Sequence, residues 1–96
     1  MDDPSREELR ELVADLHAAL EATAELPVEA SASRWLGEAE TVAGDAVGTD
    51  VPDQAVAKRV GQVRMLLSHV DDTGNEAADE RVAAARELAE KIDSRL

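Results

Sequence analysis

The residue types in this 96-residue chain best suited to catalysis or metal binding are two histidines, five serines and 22 carboxylates; it has no cysteine. That absence removes thiol nucleophiles, thiolate metal sites and disulfides together. His17 and His69 are preceded three residues earlier by Ala14 and Leu66. Neither histidine therefore makes the Glu-x-x-His pair with which helical bundles hold two iron ions. Neither belongs to a spaced cluster of the zinc type, and both are expected on partly exposed helix flanks. Ser5, Ser31, Ser33, Ser68 and Ser94 have no motif placing a histidine and an acid nearby to activate a hydroxyl. Asp71-x-Thr73-x-Asn75 imitates the opening of a calcium loop. However, Glu76 stands where its sixth position needs glycine, and Val82 where its twelfth needs a bidentate acid. Turn and cap chemistry accounts better for that segment.

Spaced acid pairs are the next candidate. Glu8-x-x-Glu11, Glu87-x-x-Glu90, Glu76-x-x-Asp79 and Glu90-x-x-Asp93 each resemble one half of the magnesium-holding motif of the helical nucleoside triphosphate pyrophosphohydrolases. That family uses Glu-x-x-Glu followed after a gap by Glu-x-x-Asp. No combination here has its order and gap, and such pairs arise readily on a solvated helix rich in acids. The expectation is no enzyme: no catalytic residue, no cofactor and no metal.

The sharpest binding signal is the 56–70 segment, which resembles a helix-turn-helix. Ala57 and Gly61 fall at the small-residue and turn positions, with Val60, Leu67 and Val70 as its core. Lys58, Arg59 and Arg64 are its candidate nucleic-acid contacts. Three features oppose this. Gln62 stands where the pattern wants an apolar side chain, Asp71-Asp72 would confront phosphates, and the chain carries a net charge of −12. Phosphate neutralisation, the main source of affinity, is poorly supplied. Gly61 is read more simply as room for a bulky side chain from a neighbouring helix, such as Trp35.

The elements that must position these residues show in the apolar spacing. Steps of four and three link Leu9, Val13, Leu16, Leu20 and Thr23, with Leu12 and Ala19 beside them. They also link Val28, Ala32, Trp35, Ala39, Val42 and Ala46; then Val56, Val60, Val63, Leu67 and Val70; and finally Ala78, Val82, Ala85, Ala89, Ile92 and Leu96, with Leu88 on the flank. Such spacing turns one face of an α-helix inward, and strand-like alternation is nowhere sustained. Asp3-Pro4, or a capping box of Ser5 with Glu8, can start the first helix. Leu26-Pro27 breaks the chain, with proline suited to a first helical turn, and Gly44 to Pro52 is turn-like. Thr73 with Glu76 forms a second capping box before the last helix. Four helices of about 16 to 20 residues with short connectors predict one all-α domain over residues 1–96. Its architecture is a four-helix up-down antiparallel bundle.

That bundle is thinly filled. Ala32, Ala39, Ala46, Ala78, Ala85 and Ala89 occupy positions where leucine would bury more area, at about 25 cal/mol per Å². A second copy, or another protein, would add what the core lacks. The expected interface is Trp35, the only aromatic residue, with an exposed flank of Leu36, Met65 and Leu66. Protein contact is thus the first functional reading and DNA binding the second. No specific small-molecule ligand is expected.

Composition sets the surroundings. Lys58 and Lys91 are the only lysines among ten basic residues, against 22 acids, and the sequence pI is about 4.4. Excess acid, scarce lysine, abundant alanine and valine, and few large apolar groups resemble the proteomes of salt-loving archaea that keep concentrated potassium in the cytoplasm. The resemblance is compositional, covers the whole chain, and implies an acidic helical protein of a haloarchaeal family with no assigned function. The opening Met1-Asp2-Asp3-Pro4 has the wrong charge for a signal peptide. No apolar run approaches the roughly 20 residues of a membrane span, so a cytoplasmic protein is expected. Self-repulsion on so small a body weakens as the screening length falls to about 3 Å in molar salt. The melting temperature should therefore rise steadily from dilute to molar potassium chloride; calorimetry showing no change would remove the salt-adaptation reading.

Overall fold

A computed structural model describes residues 4–48 and 50–96, with side-chain burial from residue 6 onward. The chain forms α1 (Pro4–Ala24), α2 (Ala30–Ala46), α3 (Asp53–Leu67) and α4 (Glu76–Arg95). Each helix packs against two others: α1 on α4 and α2, α3 on α2 and α4. The four thus stand at the corners of a square in chain order. The start of α1 meets the end of α4, where Arg95 pairs with Glu8 at 2.9 Å. Near its start, α2 meets the residues that follow α3, where Trp35 stacks on His69. This is the expected all-α up-down antiparallel bundle, a rod with extents of 45 × 19 × 19 Å. α1 is described from Pro4, so Ser5 lies within the helix and is not its cap, which corrects the Ser5–Glu8 capping box; Asp3 lies outside the described residues.

Side-chain size divides by helix. α1 contributes Leu9, Val13, Leu16 and Leu20 to the core, and α3 contributes Val56, Val60, Val63, Leu66 and Leu67. The helices beside them fill it mostly with alanine: Ala32, Ala39, Ala43 and Ala46 from α2, and Ala78, Ala85 and Ala89 from α4. Alanine lets neighbouring axes approach closely, so the leucines and valines of α1 and α3 meet across the centre.

The α2 stripe holds at Ala32, Ala39 and Ala46 and differs by one position between them. Leu36 and Ala43 point inward, while Trp35 and Val42 are half-buried and pack against the core edge. Spacings of four and three support two overlapping stripes here. The indole takes the edge, where its N–H stays in reach of water.

One end of the rod is stitched by its loops. The N–H of Glu29 donates to the carbonyl of Thr73 at 2.8 Å, so the α1–α2 and α3–α4 connections are joined. This tie corrects the reading of Pro27 as a first helical turn: Glu29 is held extended at ψ 148° and α2 starts only at Ala30. The capping box of Thr73 with Glu76 is also absent. Asn75 caps α4, accepting from the N–H of Ala78 at 3.0 Å, because the hydroxyl of Thr73 is engaged with Asp79 and Asn75. Gly74 has φ +78°, and a Cβ there would lie 3.1 Å from Cγ of Glu29, so the turn requires glycine. Arg86 closes the end of α3 by donating to the carbonyl of Val70 and to that of Leu67, which also accepts from the Val70 N–H at 3.0 Å.

Gly61 corrects its sequence reading as well. A Cβ at Gly61 or Gly37 would meet nothing within 4 Å, so neither makes room for Trp35 or any other side chain. Close approach occurs instead at Gly44, where a Cβ would sit 3.2 Å from Nε2 of His17. Glycine inside a helix is less favourable than alanine by about 0.5–1 kcal/mol. Gly37→Ala and Gly61→Ala should each stabilise by that amount, raising the melting temperature by about 4–8 °C per kcal/mol. Gly44→Ala should gain less than either because it crowds the imidazole; equal gains at all three sites in thermal denaturation would contradict this packing.

Candidate functional site

Two surface stripes flank the outer groove between α2 and α3. On α2, Ser31, Trp35, Glu38, Val42 and Asp45 follow one another at steps of four and three; on α3 Lys58, Gln62 and Met65 do the same, and His69 in the turn after it continues the spacing. The rings of Trp35 and His69 fix the register: they stack with centroids 4.2 Å apart and planes inclined by 15°. The guanidinium carbon of Arg34 lies 6.0 Å from the Trp35 ring centroid. At 1.5 Å of rise per residue in antiparallel helices, that stack brings Glu38 abreast of Met65 and Asp45 abreast of Lys58. Met65 is 57% exposed, the most of any large apolar side chain among the described residues.

Of the four expected interface residues, the structure leaves two outside. Leu36 and Leu66 are buried at 3% and 6% exposure, so the flank proposed from sequence does not exist as such. Both serve the core because each sits on the inward side of its helix, one position round from Trp35 and Met65. Val42, Gln62 and His69 belong to this surface as well, although the sequence reading does not assign them to an interface. Their signal was the spacing from Trp35 and Met65, hidden because Val42 had been placed in the core stripe.

The 56–70 segment has no turn at Gly61. α3 runs unbroken from Asp53 to Leu67, and the helix-turn-helix resemblance loses its geometry there. Its basic residues are partly engaged within the fold: Arg59 donates to Oε1 of Gln62 at 3.2 Å, and Arg64 pairs with Asp93 at 3.1 Å. Lys58 stands exposed on the α2–α3 face.

The remaining chemistry-bearing side chains hold structure. Nδ1 of His17 lies 2.9 Å from Oε1 of Glu21, one turn along α1, and its other ring edge fills the space at Gly44. The acid pairs are dispersed: Glu8 binds Arg95, Asp93 binds Arg64, and Asp79 binds Thr73. Among the described residues, no three of His, Cys, Asp or Glu converge as metal ligands. Of the calcium-like residues, Thr73 and Asn75 serve the turn: the Thr73 hydroxyl lies 2.8 Å from Oδ1 of Asp79 and the Asn75 side chain caps α4, while Asp72 between them accepts from the N–H of Gly74 at 2.8 Å. Among the described residues no helix is long and apolar enough to cross a membrane.

With the geometry in place, comparison with known proteins identifies a family. The model of a domain of unknown function (DUF8152) matches residues 12–96, most of the chain, and the protein belongs to that family. No curated protein and no solved structure matches it.

The fold strengthens the acidity of Asp79. Its carboxylate accepts from the Thr73 N–H at 2.9 Å and from the Thr73 hydroxyl at 2.8 Å, and these bonds hold its pKa below the ordinary 3.8. A weaker contribution from Asp72 acts the same way, against a small desolvation effect. Since folding lowers this pKa, the ionised group favours the folded state at neutral pH. That advantage is lost as pH falls from 3.8 through the lowered value. Below pH 3.8, the melting temperature of the wild type should fall toward that of Asp79→Ala; a gap between the two that stays constant with pH would refute the carboxylate's role.

Proposed function

We propose that this protein is a small helical interaction module without catalysis of its own, binding another protein or a second copy of itself. The observation that carries this reading is the α2–α3 face. There an exposed Met65 shares the face with the half-buried Trp35, which stacks on His69 one helical turn further on. Aromatic residues and methionine are enriched where proteins meet, and buried tryptophans often anchor such contacts. His17, Glu8, Asp79 and Asp93 serve the fold, which supports a role in contact over a role in chemistry.

The composition supports a working environment of concentrated salt, and we place the protein in a potassium-rich cytoplasm. An acidic coat of this density keeps a small rod dispersed among other macromolecules, and screening leaves short-range apolar contact as the force that selects a partner. DNA binding is the competing reading. It rests on Lys58, Arg59 and Arg64, and an unbroken α3 offers no separate reading helix to a groove.

Photo-crosslinking in cells separates these readings. A photoreactive residue at position 65 should yield a discrete protein adduct, whereas one at Ala14, exposed on α1, should yield none. Equal labelling from both positions would overturn the assignment of this face. In parallel, duplex DNA should show no mobility shift at low salt; a shift that weakens with salt and vanishes in Arg59→Ala/Arg64→Ala would favour the regulator.

A further inference from the structure

We propose that the α2–α3 face is the contact surface of a twofold homodimer whose axis runs along the length of the bundle. The proposal rests on the reading of the chain as an interaction module and names its partner as a second copy. Charge distribution is the first argument. On this face Arg34, Lys58 and Arg59 stand against Glu38 and Asp45. A molecule with a net charge of −12 thus has one long face that is close to neutral. Two copies approaching through any strongly acidic face would repel; through this one they need not.

The second argument is the arrangement of those charges. The acids lie on the α2 stripe and the lysine on the α3 stripe. Among the described residues the four ion pairs use none of Arg34, Glu38, Asp45 and Lys58. A twofold axis parallel to the helices lays α2 of one copy over α3 of the other at the same height. Asp45 then faces the partner's Lys58, and Val42 and Trp35 of one copy approach the apolar stem of the partner's Met65. Rotation about an axis across the helices would instead set α2 on α2, with acid against acid. The face is therefore self-complementary in one orientation, which is the requirement of an isologous interface. Its extent of 45 by 19 Å is commensurate with the roughly 800 Å² per partner of a standard interface.

Sedimentation of the purified full chain, across about 0.1 to 1 M potassium chloride, tests this. A dimer should form and strengthen with salt, and the emission of Trp35 should shift to the blue as it forms. Met65→Glu should weaken association by at least about tenfold and abolish that shift. At the lowest salt that supports the wild-type dimer, Asp45→Lys and Lys58→Asp should each weaken it, and the double variant should restore it. These residues are exposed, so helical circular dichroism should be unchanged in every variant. A chain that stays monomeric across this range overturns the homodimer. So does a dimer indifferent to Met65→Glu, or a charge swap without rescue. Position-specific crosslinking of Met65 to a different protein would leave the interaction-module reading standing, whereas the homodimer would fall with a monomeric chain.

Discussion

The fold depends on an unequal sharing of volume around the square of helices. Large side chains come from α1 and α3, at opposite corners, and small ones mainly from α2 and α4. Leucine or phenylalanine at all four corners would force the axes apart, and alanine at all four would leave too little apolar area to hold them. Alternation lets the chain form a closed core with no aromatic side chain inside it. Leu36, Val82 and Ile92 break the rule by filling positions along the alanine-rich helices. The same economy keeps the rod narrow, so a large share of each helix faces solvent and carries the acids.

The architecture was legible because the spacing of apolar residues is regular enough to phase each helix. Val60, Val63 and Leu67 are buried as their steps of three and four required, and valine's modest helix propensity did not matter against that pattern. What the spacing could not resolve was rotation on α2, where Trp35/Val42 and Leu36/Ala43 are equally periodic. The choice between them is made by volume: a corner crowded by leucines from α1 and α3 accepts Ala43 but not an indole. Local motifs fared differently. Asn75 displaced Thr73 as the cap because Thr73 had a better partner six residues on, a contact no short pattern encodes. Pro27 was a sound breaker, but the length of the loop after it was set by the tie from Glu29 to Thr73, a long-range bond.

Functional legibility was lower for a related reason. Among the residues with the most suggestive types, His17, Glu8, Asp79 and Asp93 are occupied by neighbours in the fold. Met65 was the exception, because an apolar side chain phased away from a buried stripe is visible in sequence. Trp35 acquires meaning only beside His69, which follows the end of a different helix.

The two ends of the rod are held by unlike forces. At one, backbone and hydroxyl hydrogen bonds join Glu29, Thr73 and Asp79; at the other, exposed guanidinium–carboxylate pairs join Arg6 to Asp53 at 3.6 Å and Arg95 to Glu8 at 2.9 Å. Dissolved ions attenuate the second kind of clasp and leave the first almost untouched. In brine the rod is therefore polarised: breathing motions favour the pole where α1 begins, while the looped pole stays shut and keeps the four coils in register.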